Sequence, residues 1–317
     1  MRDIILPKRV AIVGPGALGC LLATTLSRIS GEEIRVLDHD SQRAALLQHS
    51  GLTLERGARR EHFPIRATAD PRRIGPVDLV LLCVKSPSLG QTLPCLSPLL
   101  TKNTLLLAWQ NGIGHLPLLR AAQLPGAVAL AVTSLGAHLV GPGQVRFGGE
   151  GVTSLGFLEE APEEARLALQ GAVALFRLAG LEVRLEPDIL AQVWNKLLVN
   201  VGINALTAIH NCKNGALLEN GEALAMLQSA VQEAASVAQA KGIAIAPEPV
   251  ARTIAVCQAT ASNISSMLQD VRANRQTEIE AINGVVLEEA RRLGLPAPVN
   301  AQLCAAVKGL EKRYLPG

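Results

Sequence analysis

The spacing of hydrophobic and polar positions changes near residue 187. Before that point, short continuous apolar runs alternate with segments long enough to form helices, a pattern typical of strands that are buried on both faces. The clearest runs are Arg9 to Val13, Ile34 to Leu37, Leu79 to Val84, Leu105 to Ala108 and Val128 to Val132. This alternation predicts a mostly parallel sheet with helices on both sides, that is, an α/β fold.

The pattern differs toward and beyond the end of this region. Short runs punctuated by glycine between Gly136 and Phe157 predict an antiparallel extension, followed by a helix over 163–178 and a strand over 181–185. After Pro187 the strand patterns disappear, and helical periodicity covers 188–210, 221–241, 248–268 and 270–293. We therefore predict two domains, a sheet domain over 1–187 and an all-helical domain over 188–317.

A glycine-rich string, Gly14-Pro15-Gly16-Ala17-Leu18-Gly19, follows the first strand and opens a helical pattern. In such a turn the first glycine allows the tight bend, the second lets backbone amides approach a pyrophosphate, and the third allows close helix packing. A tight turn without a ligand would carry similar glycines. The strand and helix on either side favour a Rossmann-type dinucleotide-binding domain over residues 1–187, with these six residues at the cofactor.

The carboxyl ends of two neighbouring strands carry charged residues. Asp38 ends the second strand, where a carboxylate usually binds the adenosine ribose and disfavours a 2′-phosphate, which indicates NAD. His39, Arg43 and Lys85 indicate the opposite preference, since all three could offer positive charge to the same phosphate. Asp38 could instead cap the following helix, as could Ser41.

A polar stripe crosses the first helix of the predicted helical domain. Lys196, Asn200 and Asn204 are spaced i, i+4 and i+8, so they share one face of a helix that is otherwise apolar almost all round. Burying an ammonium and two amides is costly unless they are paired. The stripe therefore either faces solvent, pairs with another helix, or lines a ligand site.

Other polar residues suit the same site. Asn263, Ser265 and Ser266 form a small cluster, and Glu278 is predicted on a helical stripe with apolar neighbours, which makes it a natural partner for Lys196. Asn111 follows the strand over 105–108 and precedes a glycine, so it either binds a ligand at the carboxyl edge of the sheet or forms a turn.

Composition excludes several classes of protein. The chain has 317 residues, 49% hydrophobic and 18% charged, which excludes a disordered chain, and its net charge of +3 without a basic run predicts no nucleic-acid partner. The apolar segment over 124–140 contains polar residues and glycines, so we predict no membrane span. Six cysteines without metal-ligand spacing predict reduced thiols and a cytoplasmic protein. The histidines likewise have no metal-ligand spacing, so no metal site is predicted.

Several longer motifs resemble one enzyme family, ketopantoate reductase (2-dehydropantoate 2-reductase). They are Trp194–Asn200, Asn204–Thr207, Asn263–Asp270, Thr277–Ile279 and Ile282–Gly284, together with Gly14–Gly19 and Asn111–Gly114. The resemblance covers the whole chain in order. It implies an oxidoreductase that reduces 2-dehydropantoate to (R)-pantoate with NADPH, a step toward pantothenate and coenzyme A.

The resemblance also implies roles for residues. Lys196 would protonate the carbonyl oxygen, and Glu278 would bind the substrate hydroxyl. The positions that hold substrate or cofactor would be Asn111, Asn200, Asn204, Asn263 and Ser266. Lys85 matches the family's lysine on the phosphate side, so NADP(H) is favoured, although Asp38 stands where members that use NADPH often have a basic residue, which leaves NAD(H) open.

Three questions stay open from the sequence. A related reductase of another 2-oxo or 3-oxo acid would share Lys196 and the glycine turn, and a non-catalytic dinucleotide-sensing protein would share the turn alone. The apolar helices of the second domain leave room for a homodimer, but periodicity does not distinguish a core helix from an interface helix.

Overall fold

The chain forms two compact units in the computed structural model, which describes residues 5–29 and 33–315. The first unit contains the residues up to Gln110 together with Pro117–Ile189. The second contains Asn111–Leu116 together with the residues from Leu190 onward. The short segment 111–116 therefore belongs with the helical part of the chain although it lies inside the sheet region in sequence.

The described residues of the first unit contain twelve strands in two sheets. They are β1 (Arg9–Val13), β2 (Glu33–Leu37), β3 (Leu52–Arg56), β4 (Arg59–Phe63), β5 (Arg66–Thr68), β6 (Leu79–Leu82), β7 (Leu105–Ala108), β8 (Ala127–Thr133), β9 (Gly136–Gly141), β10 (Gln144–Gly149), β11 (Thr153–Gly156) and β12 (Val183–Leu185). All five runs that the sequence analysis assigned to buried strands are strands of one sheet.

The larger sheet has the order β12-β11-β8-β7-β6-β1-β2-β5 and confirms the prediction of a Rossmann-type, mostly parallel sheet. Its pairs are parallel except β11 with β8, which is antiparallel. In register, Val13 lies opposite Leu37 and Leu82, so β1, β2 and β6 reach their carboxyl ends side by side. Those three ends carry the glycine turn, Asp38 and the segment leading to Lys85.

The smaller sheet has the order β4-β3-β10-β9. The β9–β10 hairpin is antiparallel, as the glycine-punctuated runs predicted, and β10 then pairs in parallel with β3. The sequence analysis assigned no strands to β3 and β4. The reason is visible in β4, whose sequence Arg-Arg-Glu-His-Phe lacks the apolar alternation by which a strand is identified.

Helices of the first unit cover the larger sheet. They are α1 (Ala17–Leu26), α2 (Ser41–Ser50), α3 (Leu89–Thr92), α4 (Leu116–Ala121) and α5 (Glu163–Leu178). Helix α1 is buried over most of its length because it packs on β1 and also on β3, β9 and β10 of the smaller sheet. Helix α5 matches its predicted bounds, and its Phe176 ring meets the edge of Trp109 at 5.8 Å between centroids.

The described part of the second unit contains helices and no strand, as predicted. The helices are α6 (Ile189–His210), α7 (Ala216–Glu219), α8 (Gly221–Ala240), α9 (Pro249–Ala259), α10 (Ser266–Arg272), α11 (Val285–Leu293) and α12 (Pro298–Glu311). A π-helical turn, Glu280–Gly284, runs directly into α11. Such turns hold an extra residue within a helix and are frequent at functional sites.

Two of the predicted long helices are wrong because each is interrupted. The stretch over 248–268 breaks after α9, and Ser265 then starts α10 by accepting a hydrogen bond from the amide of Leu268 at 3.1 Å. The stretch over 270–293 breaks at Asn274, whose φ of +52° lies in the left-handed region that ends helices. Glu278 consequently lies in the bend before the next helical segment and not within a helix.

Candidate active site

The glycine turn between β1 and α1 leaves space for a phosphate group. Gly14 has a φ of +93°, and a Cβ atom there would lie 2.7 Å from Cγ1 of Val84, so a larger residue is excluded. A Cβ at Gly19 would lie 2.2 Å from the carbonyl oxygen of Gly14, which explains how closely α1 packs on the turn. Gly16 is exposed, precedes α1 without a side-chain cap, and has no atom within 4 Å of where a Cβ would be. The turn therefore fits the pyrophosphate of a dinucleotide, held by the amino end of α1.

Asp38 lies beside this turn and is paired with an arginine. Its side chain is 0% exposed, and Arg43 donates to it from both Nε and Nη2. The backbone amide of Asp40 also donates to Oδ1 of Asp38, at 3.1 Å. The cap of α2 is neither Asp38 nor Ser41 but Asp40, which accepts from the amides of Gln42 and Arg43. The carboxylate of Asp38 is thus already bound to a guanidinium.

Lys85 lies at the carboxyl end of β6, on the other side of the glycine turn from Asp38. It directly follows Val84, the residue that contacts Gly14. Its amine nitrogen is buried. Because β1 lies between β2 and β6 in the sheet, Asp38 and Lys85 flank the turn from opposite sides.

The second unit contains a chain of hydrogen bonds between an amine, an amide and a carboxylate. Nζ of Lys196 on α6 donates to Oδ1 of Asn111 at 2.7 Å, and Nδ2 of Asn111 donates to Oε2 of Glu278 at 2.9 Å. The sequence predicts Lys196 and Glu278 as direct partners. In the structure Asn111 stands between them and binds both.

Burial controls the protonation of Lys196. It lowers the pKa of the Lys196 ammonium from its usual range to about 8, while the charge of Glu278 acts in the opposite direction. A lysine of this pKa is mostly charged at neutral pH yet releases its proton readily. The amine therefore combines the two properties that a proton donor needs.

The loop that carries Asn111 rests on the π-helical turn. Gly112 has a φ of +76°, and a Cβ there would lie 1.9 Å from the carbonyl oxygen of Ala281. A Cβ at Gly114 would lie 3.2 Å from the Cα of the same residue. The two glycines let the loop approach the backbone of the turn, and this approach fixes Asn111 close to Glu278.

The other polar residues of α6 lie on the same face as Lys196. Asn200 is partly exposed and Asn204 is buried, one and two turns further along the helix. The hydroxyl of Thr207 donates to Oγ of Ser265 at 2.6 Å, and its oxygen lies 3.0 Å from the carbonyl oxygen of Asn204. The stripe thus leads from Lys196 to the amino end of α10.

Asn263 and Ser266 are both exposed near the amino end of α10. Neither belongs to the hydrogen-bond chain of Lys196, Asn111 and Glu278. Their neighbour Ser265 is buried and holds the start of the helix by accepting from the amide of Leu268 and the hydroxyl of Thr207. Ser265 therefore has a structural role, whereas Asn263 and Ser266 stay predictions for ligand contact.

Sequence reasoning did not assign a role to a buried polar network behind the π-helical turn. Asn283 has no exposed surface and donates to the carbonyl of Val201 on α6 at 3.2 Å and to Oδ1 of Asn300 at 3.0 Å. Asn300 in turn donates to Glu233 on α8 at 2.7 Å. Asn283 was part of a family motif in the sequence, which was the only signal for it. The network joins the π-helical turn to the helix that carries Lys196.

His115 is buried, and burial lowers its pKa to about 4, so its ring is neutral at physiological pH. Within residues 5–29 and 33–315, no three metal-binding side chains come together. In the same ranges no helix is both long and apolar enough to span a bilayer.

These features define a class of protein. A Rossmann-type sheet with an open glycine turn is typical of proteins that bind a dinucleotide, and a buried amine of lowered pKa is typical of a proton donor. The two features together indicate a dinucleotide-dependent oxidoreductase. Comparison with known families gives the particular group. Residues 10–160 match the model described as "Ketopantoate reductase PanE/ApbA", and residues 188–311 match "Ketopantoate reductase PanE/ApbA C terminal". The chain belongs to the ketopantoate reductase family.

Individual relatives agree with this result. The chain is 35% identical over 303 residues to the 2-dehydropantoate 2-reductase of Halobacterium salinarum, covering 95% of this chain and 98% of that one. The crystal structure of a PanE/ApbA family ketopantoate reductase from Ralstonia eutropha JMP134 superposes with a TM-score of 0.86 at 30% identity, covering 96% and 99% of the two chains. D-mandelate dehydrogenase in complex with NADH and anilino(oxo)acetate has a TM-score of 0.87 at 26% identity, with the same coverage.

Proposed function

We propose that this protein reduces the ketone of 2-dehydropantoate to the alcohol of (R)-pantoate with NADPH, a reaction that leads toward pantothenate and coenzyme A. The hydrogen-bond chain from Lys196 through Asn111 to Glu278 carries the proposal, because it supplies a positioned proton donor. Membership of the ketopantoate reductase family supports the choice of substrate.

The proposed chemistry begins with hydride, which the dihydronicotinamide supplies to the carbonyl carbon. Negative charge then develops on the carbonyl oxygen, and a positioned cation stabilises this state more than the neutral ketone. The Lys196 ammonium fits this role, since with a pKa of about 8 it is about nine-tenths protonated at pH 7. It donates its proton to the oxygen and completes the alcohol.

Asn111 and Glu278 position this proton donor. Asn111 accepts from the amine through Oδ1, which leaves the other two N–H groups of the ammonium for the substrate. Glu278 accepts a hydrogen bond from Nδ2 of Asn111, and we assign the binding of the substrate hydroxyl to the same carboxylate. Asn200, Asn204, Asn263 and Ser266 are assigned to the rest of the substrate, since amides and hydroxyls bind carboxylate and hydroxyl groups without adding charge.

We assign the cofactor to a dinucleotide-binding domain over residues 1–187 and the proton donor to a helical domain over residues 188–317. Gly14, Pro15, Gly16, Ala17, Leu18 and Gly19 would hold the pyrophosphate, with Lys85 beside them and Asn111 at the nicotinamide end. NADP(H) is favoured over NAD(H) because Asp38 is neutralised by Arg43 and Lys85 adds a second cation near the turn.

Steady-state kinetics test this function. Purified protein should oxidise NADPH in the presence of 2-dehydropantoate, with a higher kcat/KM than for other 2-oxo or 3-oxo acids. The likeness to D-mandelate dehydrogenase makes an aryl 2-oxo acid the most informative competitor substrate. A preference for that acid would replace the proposed substrate within the same class of reaction. Absence of turnover with every keto acid would favour a protein that only senses the dinucleotide.

Two further assignments accompany the function. We propose a cytoplasmic location, since the cysteines of the described chain are free thiols, as expected in a reducing compartment. We also propose that the protein forms a homodimer through its helical part. Sedimentation equilibrium tests the second assignment, and a single species at the monomer mass of 33.4 kDa would contradict it.

A further inference from the structure

We propose that Arg43, held in place by Asp38, is the residue that recognises the 2′-phosphate of NADP(H). The inference rests on the proposed use of a dinucleotide and assigns the specificity of that site to one pair of residues. It reverses the simple expectation from sequence that an acidic residue at the end of the second strand selects NAD.

The position of the pair supports this assignment. The amide of Gly14 donates to the carbonyl of Leu37 at 3.0 Å, so the glycine turn and the end of β2 are directly joined. Asp38 is the next residue after Leu37. In Rossmann-type domains the adenosine ribose lies at this point, next to the end of the second strand. Any group presented here meets the 2′ position of the ribose.

The hydrogen bonds of Asp38 exclude its usual role. A carboxylate that selects NAD accepts bonds from the ribose hydroxyls, which requires exposed oxygen atoms. Asp38 has a fully buried side chain, and its oxygens already accept from Nε and Nη2 of Arg43 and from the amide of Asp40. Its negative charge is also compensated by the guanidinium, so it repels a phosphate only weakly.

Arg43 has donors left for a phosphate. Its side chain is 36% exposed, and the two bonds to Asp38 use only one edge of the guanidinium. Within the described ranges, no hydrogen bond is made by Nη1. A guanidinium held along one edge presents the other in a fixed direction, which suits two-point binding of a phosphate.

The surrounding charges agree with an anion site. His39 is 89% exposed, and its Nδ1 lies 3.4 Å from Oδ1 of Asp38, so it can add a donor beside the guanidinium. The nearby Asp40 accepts through Oδ1 from the amides of Gln42 and Arg43 at the start of α2, and its charge also acts on Arg43. The carboxylates of this corner are thus used to hold the donors in place.

Calorimetric titration with 2′,5′-ADP and 5′-AMP tests the proposal directly, because the two probes differ only in the 2′-phosphate. The unmodified protein should bind 2′,5′-ADP at least tenfold more tightly. Arg43→Ala should weaken the binding of 2′,5′-ADP by about 10- to 100-fold and change the affinity for 5′-AMP by less than about threefold. Arg43→Lys keeps the charge but loses the fork, so it should give an intermediate ratio. Arg166→Ala, which removes an exposed arginine of α5, should leave both affinities unchanged.

Other results would overturn the proposal. Tighter binding of 5′-AMP by the unmodified protein would show that the corner selects NAD(H). Equal weakening of both probes by Arg43→Ala would indicate that the arginine contacts the adenine or supports the fold. If that variant does not fold, as judged by its thermal transition, an unchanged ratio in Arg43→Lys contradicts the assignment. The titration needs no keto acid, so its result does not depend on whether the proposed substrate is correct. Failure to bind either probe would reject both the role of Arg43 and the proposed use of a dinucleotide.

Discussion

Nζ of Lys196 lies 2.7 Å from Oδ1 of Asn111, although the two residues are 85 positions apart in sequence. The contact joins the only charged member of the α6 polar stripe to a loop that leaves the sheet and packs with the helices. Through Nδ2 of the same amide the amine is linked to Glu278. One asparagine therefore sets the direction of the amine and its distance from the carboxylate.

The reduction rate should depend on the protonation of Lys196. Its pKa is lowered to about 8, so the fraction of the acid form falls as pH rises through that value. We expect kcat/KM for ketone reduction to be level below about pH 8 and to decrease about tenfold per pH unit above it. In the reverse direction the free amine is the active form, so oxidation of the alcohol should increase with pH over the same range. Both profiles can be measured from NADPH absorbance.

Lys196→Ala should abolish the decrease in kcat/KM above about pH 8, the alkaline limb of the profile. It should also lower kcat by about 10²–10⁴-fold, the usual contribution of a general acid. Affinity for the cofactor, measured by titration of protein fluorescence, should change little. The matched control is Lys241→Ala. Lys241 lies at the carboxyl end of α8, and its amine forms an ion pair with Glu289. Full turnover by the Lys196 variant would assign the proton to another group.

Asn111→Asp should shift the alkaline limb without changing the size of the side chain. A carboxylate in place of Oδ1 adds a negative charge at hydrogen-bond distance from the ammonium and so raises the pKa of Lys196. It also loses the donor to Glu278 and brings two carboxylates together. We expect the limb to move upward by about one pH unit or more and kcat to fall by about tenfold or more.

The control for this substitution is Asn103→Asp, at an exposed turn of the first unit. Asn103 precedes the amino end of β7, whereas Asn111 follows the carboxyl end of that strand, so the added charge should leave the pH profile unchanged. If the alkaline limb of the Asn111→Asp variant lies at the same pH as in the unmodified protein, the group that titrates there is not Lys196.

The sequence predicts most of the larger sheet but only the β9–β10 half of the smaller sheet, for a physical reason. Strands buried on both faces must be apolar throughout, so β1, β6 and β7 are visible as continuous runs. Strand β4 exposes charged residues and is held by pairing with β3, a contact that its own sequence does not encode. Helix periodicity likewise could not reveal the breaks at Asn274 and Ser265, since these depend on single cap residues.

The candidate site was predictable in its residues but not in its connections. Spacing along α6 placed Lys196 and Asn200 on one face, and this holds for any helix. The bridge by Asn111 depends on how a distant loop packs on Ala281, which no local pattern contains. Asp38 and Arg43 are only five residues apart in sequence. Their pairing was still not predictable, because the end of a strand and the start of the next helix have no fixed geometry until the fold forms.

Gly112→Ala should disrupt the site as well as the fold. The added Cβ would lie 1.9 Å from the carbonyl oxygen of Ala281, in a backbone conformation that disfavours side chains. We expect the free energy of unfolding to fall by about 2–4 kcal/mol. Because Asn111 must move, we also expect activity to fall by more than the loss of folded protein accounts for. Urea denaturation and steady-state kinetics on the same preparation measure the two effects.

Gly242→Ala is the matched control for that substitution. Gly242 also has a positive φ, +70°, but no atom lies within 4 Å of its would-be Cβ. The substitution should lower the free energy of unfolding by about 1 kcal/mol and leave kcat unchanged. If the two variants lost stability and activity to the same extent, backbone strain alone would explain Gly112, and the contact with Ala281 would carry no special weight.

Asn283→Ala should show how far the buried network supports the site. The substitution removes a donor to the carbonyl of Val201 and leaves Oδ1 of Asn300 without that bond, in a region with no access to water. Buried groups that lose a partner cost about 1–3 kcal/mol each, so we expect destabilisation of about 2–4 kcal/mol. Because Asn283 belongs to the turn on which Gly112 rests, kcat should fall while KM for the cofactor stays constant. A double-mutant cycle with Asn300→Ala separates the direct bond between the two asparagines from repacking. A coupling energy near zero would show that the two asparagines act independently. The network would then not link the π-helical turn to α8.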